Sequence, residues 1–373
     1  MTPPTSEARK GKARILGVGT SVPRFHVDHG ISAEFAERTS AVDASNSRKV
    51  RALYRRSGIE KRGSVLLAQD DGSDVVNLFY PPAESPEDRG PTTKNRSDRY
   101  AEEAPVLAEQ ASLSALKASQ LSADDITHLV TVSCTGFGAP GVDIALIDLL
   151  GLPITTERVH VGFMGCHGAI NGLRVARGLV DANQGARVLL CSVELCSLHY
   201  QYGMSTDEIV SNAIFADGSA ALLLGDDSPK EDALGSVAAT GSCLVPASRD
   251  AMTWQIGDNG YEMTLSPKVP DLIQRHLRPF LAEWLAKSGE TIESIGGWAV
   301  HPGGTRILSA AQNALGLDDG DLAHSRGVLS DHGNMSSATM LFVLERFATV
   351  NQPKPWVMLG FGPGLEVEVA LIR

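Results

Sequence analysis

The chain has 373 residues, 43% of them hydrophobic, with 33 basic against 44 acidic side chains and a net charge of −11. That length and apolar content are enough for a large core, in one large or two fused domains, while the acidic surface repels phosphate backbones and argues against nucleic acid as a partner. The five cysteines (134, 166, 191, 196 and 243) are an odd set without a C-x-x-C pair, so neither a disulfide framework nor a zinc site reads from them. The opening M-T-P-P-T-S-E-A-R-K-G-K lacks the apolar stretch of a signal peptide, and no apolar run approaches a bilayer span. The expected compartment is therefore a reducing cytoplasm.

Residues 1–12 are polar and read as a flexible N-terminus. A-R-I-L-G-V-G-T-S-V-P, from Ala13, reads as a strand ending in a turn. Residues 47–62 are basic, and 64–99 carry Pro, Gly, Asp and Ser with little periodicity, the pattern of a long irregular connection. Residues 101–119 read as a helix with an apolar stripe at Val106, Leu113 and Leu116. Strands and helices then alternate. I-T-H-L-V-T-V-S-C is a strand to Cys134. V-H-V-G-F-M-G leads into a helix starting near Cys166, with Ile170, Leu173, Ala176 and Val180 near one face. R-V-L-L-C-S-V and G-S-A-A-L-L-L-G are further strands, and G-W-A-V is a strand ending at His301. Asn334 stands just ahead of an apolar helix over Ala338–Phe347. W-V-M-L-G and L-E-V-E-V-A-L-I close the chain as strands around G-F-G-P-G. This alternation predicts α/β layers with helices against sheets. No internal repeat is visible in the sequence.

Three distant segments each offer one residue of a single active site. In V-G-F-M-G-C-H-G-A, Cys166 lies where a strand turns into a helix, flanked by Gly165 and Gly168, which permit a sharp turn and close approach of a substrate. A thiol at a helix N-terminus, beside an imidazolium, is expected to have a lowered pKa. The plain alternative, a small buried core residue, is the reading for Cys134, Cys191, Cys196 and Cys243. His301 ends an apolar strand and is followed by Pro-Gly-Gly, a tight loop that leaves the ring pointing into a cavity. His160, His167, His199 and His332 compete for the same role. Asn334, between Gly333 and Met335, also reads as a helix N-cap. Together, a thiol that carries an acyl chain and an imidazole and amide that hydrogen-bond a thioester oxygen are the parts for making carbon–carbon bonds from acyl thioesters.

The segments G-C-H-G-A, A-V-H-P-G-G, G-N-M-S-S-A-T, I-F-A-D-G-S-A-A and G-F-G-P-G-L together resemble the type III polyketide synthases, the chalcone and stilbene synthase-like enzymes, from about Ala13 to Arg373. The resemblance implies a thiolase-like α/β fold with two similar halves in a five-layered α-β-α-β-α core, assembled as a homodimer. The N-terminal half (13–229) carries the cysteine and the C-terminal half (230–373) the histidine and asparagine. It implies Cys166 as the acyl-carrying nucleophile, and His301 and Asn334 as the groups that bind the thioester carbonyl and promote loss of CO2 from malonyl-CoA. It implies no metal or redox cofactor, because the malonyl-CoA and acyl-CoA substrates supply the driving force. Phe215 matches a gatekeeper phenylalanine, although a core aromatic before a turn fits it equally. Lys49 and Arg56 match two basic residues that bind coenzyme A phosphates, Ala52 replaces a third, and Arg51 or Arg55 could compensate. By charge pattern alone this stretch is an ordinary solvated basic face.

Departures from the plant pattern bear on product rather than reaction. Met263 stands at the second gatekeeper phenylalanine, a softer wall. Cys134 and Thr135 replace threonine and serine, and S-C-T-G is common in bacterial members. Ala139 stands where plant enzymes insert a methionine into the partner's cavity, and the Ala139–Pro140 bond is expected to be cis, as in the family. Cys196, His199, Trp254 and Ser336 match cavity-lining positions. The nearest rival is a single-round ketoacyl synthase of the same fold, which would take its starter from an acyl carrier protein. A papain-like hydrolase shares Cys, His and Asn but has a different local signature. No P-loop motif is present. Starter, number of extensions and ring closure stay open at this level.

Overall fold

Strands that are apolar at successive positions need cover on both faces. The structure is a computed structural model describing residues 13–40, 44–70, 74–226 and 233–373. In it, strand Arg187–Leu195 shows the pattern directly. Val188 and Leu190 face one core, while Leu189, Cys191, Val193 and Leu195 face a second. Strand Trp356–Gly362 repeats it on the other side, with Trp356 and Met358 in the shared core and Val357, Leu359 and Phe361 in a third.

Three cores between two half-sheets give five layers. The middle layer is a pair of helices, Gly168–Ala182 and Thr339–Val350, buried among strands from both halves. One outer layer is Thr93–Ser119 with Val142–Leu150, and the other is Val269–Ala286 with Thr305–Leu315. The strands run in the order Gly297–Val300, Trp356–Gly362, Glu366–Ile372, Gly235–Leu244, Arg14–Ser21, Asp217–Gly225, Arg187–Leu195, His128–Ser133 and Glu157–Gly162. Each half has parallel pairing at its outer edge and antiparallel pairing toward the centre. The halves meet where Arg14 and Ile15 pair with Ser236 and Gly235. This is the thiolase-like arrangement the resemblance implied. The two-fold repetition is invisible in the sequence because layering constrains only the apolar pattern, which many residues satisfy.

Two local expectations need correction. The irregular stretch 64–99 contains a small hairpin, Leu67–Gln69 with Val75–Asn77, and its last residues belong to the helix Thr93–Ser119. That helix starts early because Thr92 caps it, accepting the Asn95 N–H at 3.3 Å while Asn95 Oδ1 accepts the Thr92 N–H at 3.2 Å. Its buried stripe is also different. Val106 and Leu113 are 46% and 49% exposed, whereas Ala104, Leu107, Ala108, Ala111, Ala115 and Leu116 are buried. Alanines let the helix lie close over the sheet, so small size outweighed hydrophobicity. Residues 1–12 and the expected boundary at 229/230 lie outside the described residues. Among the described residues no helix is long and apolar enough to cross a membrane.

Candidate active site

Cys166 sits in a single 3-10 turn, Gly165–His167, between strand Glu157–Gly162 and helix Gly168–Ala182. Gly165 has φ +73°, and a Cβ there would lie 2.5 Å from the Pro363 ring, so this turn packs directly on the G-F-G-P-G loop. The helix behind it is anchored by Ile170, Leu173, Ala176 and Val180, all buried as the spacing predicts.

Asn334 is held by backbone pairing with the segment carrying Phe215. Its N–H donates to the Ile214 carbonyl at 2.8 Å, and its own carbonyl accepts the Ala216 N–H at 3.0 Å. Its side-chain Oδ1 accepts the Ser336 N–H at 2.9 Å, and it caps neither the 3-10 turn Ser336–Ala338 nor the helix Thr339–Val350, whose caps are Met335 and Ala338. With Oδ1 engaged, the amide nitrogen is left free of that bond, and the Asn334 and Ser336 side chains both act on the Cys166 thiol to favour its thiolate form. Ser336 has φ +46°, a conformation that costs a non-glycine residue about 1–3 kcal/mol, and such strain clusters at functional sites. His301 follows strand Gly297–Val300, and its N–H donates to the Leu359 carbonyl at 2.8 Å. The ring is buried, and neither nitrogen meets a hydrogen-bond partner among the described residues.

Cys166 opens onto a small pocket of about 30 Å³, whose walls include Cys134, Thr135, Cys196, Phe215, Trp254, Met263 and Ser336. Behind Phe215 and Trp254 lies a second cavity of about 70 Å³, reached also by His199 and Arg62. On the other side Met263 is shared with a much larger cavity of about 490 Å³, walled by Arg56, Ile214, Gly303, Gly304 and Arg306 among others. Met263 and Trp254 face each other across the hairpin Met252–Gly257/Gly260–Leu265. His199 is fixed in one tautomer. Its Nε2–H donates to the Thr135 carbonyl at 2.7 Å, Nδ1 accepts the Tyr261 N–H at 3.0 Å, and the ring stacks on Tyr261 at 4.1 Å. It therefore braces Trp254, whose indole N–H donates to the Cys134 carbonyl at 2.7 Å.

Glu194, which motif reading passed over, organises the rear wall. Its carboxyl accepts the Thr135 hydroxyl at 2.7 Å and the Cys134 N–H at 3.0 Å, and it also bonds the Cys134 thiol and the Ser337 hydroxyl. Cys134 in turn lies 3.2 Å from the Ser336 hydroxyl. The signal was present: a glutamate ending the apolar run R-V-L-L-C-S-V-E has to be satisfied internally. Arg306, in the first turn of helix Thr305–Leu315 after Pro-Gly-Gly, was also missed. Of the expected basic residues, Arg56 lines the large cavity, whereas the Lys49 amine reaches the Met204 carbonyl at 3.4 Å and is not among its walls. Arg51 is paired to Glu37 at 2.6 Å. The Ala139–Pro140 bond is cis, as expected, and Ala139 is exposed.

Electrostatics departs from expectation at Cys166. Burial, with the Glu194 charge adding to it, pushes the Cys166 thiol up to about 11, against the lowering effect of Ser336 and Asn334. Burial, and then the neighbouring His167, push His301 down to about 3. The resting pair is thus neutral thiol and neutral imidazole. A single turn ahead of the helix does not outweigh removal from water. Burial likewise holds His199 neutral, at about 3, and raises the Glu194 carboxyl.

Comparison with known proteins gives the family. The family model for chalcone and stilbene synthases matches in both parts, the N-terminal domain over residues 3–228 and the C-terminal domain over 236–373. The chain is 39% identical over 273 residues to the 1,3,6,8-tetrahydroxynaphthalene synthase of Streptomyces peucetius subsp. caesius, covering 72% of each. It is 32% identical over 371 residues to the probable polyketide synthase 1 of Dictyostelium discoideum, which covers 96% of this chain but only 11% of that protein's length. The crystal structure of PKS-I from the brown alga Ectocarpus siliculosus superposes with a TM-score of 0.88 at 32% identity, covering 97% of this chain and 98% of that one. The C-terminal type III polyketide synthase domain of Steely1, a type I/III hybrid from Dictyostelium, gives 0.85 at 29% identity, covering 97% and 99%. Two matched domains, a common fold and the assembled cysteine pocket place the chain in the chalcone and stilbene synthase family, the type III polyketide synthases, whose members are acyltransferases.

Proposed function

We propose that the protein condenses malonyl-CoA iteratively onto an acyl group held on Cys166 and then cyclises the product. The observation that carries this reading is Cys166, with the Asn334 and Ser336 side chains acting on its thiol, facing a pocket that shares Met263 as a wall with a cavity large enough for a coenzyme A arm. The thiol attacks the starter thioester carbon, its proton passes to the neutral His301 ring as the new bond forms, and the ring returns that proton to the departing sulfur, so that CoA leaves as its thiol. Proton transfer during attack replaces a standing ion pair, because burial disfavours both charges. Malonyl-CoA then loses CO2. The His301 ring and the Asn334 amide hydrogen-bond the developing enolate oxygen, each such donor being worth roughly 2.7–4 kcal/mol in the transition state. The carbanion attacks the Cys166 thioester, breaking its carbon–sulfur bond. The Cys166 sulfur leaves as thiolate and takes up a proton, and the β-ketoacyl-CoA formed reloads for further rounds. Ring closure gives a pyrone or a phenolic or resorcinol product. The Arg56 and Arg306 guanidinium groups suit the coenzyme A phosphates at the mouth of the large cavity.

The inner pocket supports a small starter, since about 30 Å³ has room for roughly two waters by the same measure. A second copy of the chain is the proposed partner. Strand Glu157–Gly162 leaves one edge without a strand partner among the described residues. Near it Phe137 is 70% and Ile154 95% exposed, with Val159 and Phe163 also open. An unpaired strand edge with exposed apolar side chains favours pairing with another chain. That assembly would bring the Ala139–Pro140 turn to the partner.

Incubation with malonyl-CoA and a panel of acyl-CoA starters, followed by mass spectrometry, should give multiply extended pyrones or phenols from short starters. These should be absent with Cys166→Ala. Singly extended β-ketoacyl products, or activity restricted to carrier-protein thioesters, would count against the iterative reading, and products only from long-chain starters would reject the small-starter assignment. Alkylation of Cys166 by iodoacetamide should speed up about tenfold per pH unit from pH 7 to 10, as thiolate accumulates toward the raised pKa, whereas a plateau near pH 7 would indicate a standing ion pair. Arg56→Ala with Arg306→Ala should raise KM for malonyl-CoA about tenfold with little change in kcat, and unaltered KM would remove both arginines from the CoA site. Sedimentation should show a dimer that Val159→Asp splits, so a monomeric wild-type protein would end the edge-strand proposal.

A further inference from the structure

The residue after the nucleophile, His167, has an environment that the proposed chemistry does not use. Its ring is fully buried. Nδ1 lies 2.7 Å from Asn171 Oδ1. The Asn171 amide nitrogen donates to Glu368 at 3.0 Å, so the Asn171 carbonyl oxygen faces the ring and Nδ1 is the donor. Arg174 closes the chain on Glu368 at 3.2 Å. Residues 167, 171 and 174 are spaced i, i+4 and i+7, one face of the helix directed at the last strand. Nε2 has no hydrogen-bond partner among the described residues and stands 3.7 Å from the Glu366 carboxylate.

The loop across from it is shaped to this ring. A Cβ on Gly362 would lie 2.3 Å from two His167 ring atoms, a separation no side chain tolerates. The glycine in G-F-G-P-G is thus required by the histidine in G-C-H-G. We propose that His167 is a positioning residue. Its ring ties the turn bearing Cys166 to Glu366–Ile372 through Asn171 and Glu368, wedges that turn against Gly362, and so sets the direction of the Cys166 sulfur toward Asn334 and Ser336. His167, like His301 and Asn334, is not a wall of the pocket into which the sulfur opens. Its role differs from theirs because its Nδ1 is committed to Asn171.

The inference rests on Cys166 being the nucleophile of the proposed condensation, and the test separates the two. Full-length His167→Leu, His167→Gln and Gly362→Ala are compared with wild type for kcat and KM with malonyl-CoA, per Cys166 titrated by alkylation. Leucine removes the donor to Asn171, glutamine keeps an N–H of similar reach, and the alanine displaces the ring from the other side. The expected result is a loss of about tenfold or more in kcat for the leucine and alanine variants, KM within about twofold, and most of kcat regained with glutamine. A merely structural role would lower the amount of folded protein and leave kcat per titrated thiol unchanged. That outcome, or equal losses with leucine and glutamine, overturns the proposal. If no starter is extended by the wild-type protein, the polyketide reading fails on its own. The rate of Cys166 alkylation at fixed pH then decides for His167: a change with leucine that glutamine reverses supports positioning, and identical rates in all variants reject it.

Discussion

A carboxyl group buried out of reach of water has to be surrounded by donors, and Glu194 applies that constraint at the centre of the molecule. Its partners come from two distant parts of the chain: Ser133, Cys134 and Thr135 at the end of one strand, and Ser337 in the turn next to Asn334. Satisfying one side chain therefore fixes where the N-terminal half meets the C-terminal half behind the nucleophile. The Ser336 hydroxyl, held in a left-handed backbone conformation, completes the link by standing between the Cys134 and Cys166 sulfurs. Burial raises the Glu194 pKa, so the same desolvation that demands these bonds weakens the negative field on Cys166.

That desolvation also sets the character of the chemistry. A thiol pushed up to about 11 and an imidazole pushed down to about 3 do not form a stored ion pair. The His301 ring, buried without a hydrogen-bond partner among the described residues, costs about 1–3 kcal/mol as an unsatisfied buried group.

Shape follows from a few large side chains. Trp254, braced by His199 and bonded to the Cys134 carbonyl, closes the inner pocket on one side, and Met263 stands at the passage to the large cavity on the other. A tryptophan held by a hydrogen bond and an aromatic contact is a rigid wall, while an unbranched thioether can move aside. The passage between cavities is thus softer than the wall behind the nucleophile.

How much of this was legible beforehand depends on the kind of constraint. The layered fold, the strand ends carrying Cys166 and His301, and the turn carrying Asn334 follow from local rules: apolar periodicity, glycine at tight turns, and polar residues at helix starts. Motifs then identified Phe215, Met263, Cys134 and Trp254 as neighbours of one pocket. The helix Thr93–Ser119 was misread because alanines pack a helix close to a sheet, a reward that hydrophobicity alone does not register. The direction of the Cys166 pKa, the hub at Glu194, the place of Arg306 beside Arg56 on the large cavity, and the fit of His167 to Gly362 were not legible. Each depends on what surrounds a side chain after residues hundreds of positions apart are packed together. The sequence by itself determined the elements and the family, because those rest on local pattern. Only the tertiary structure decided which groups lose water, which donors they meet and how much room remains, because desolvation and packing are properties of the assembled interior.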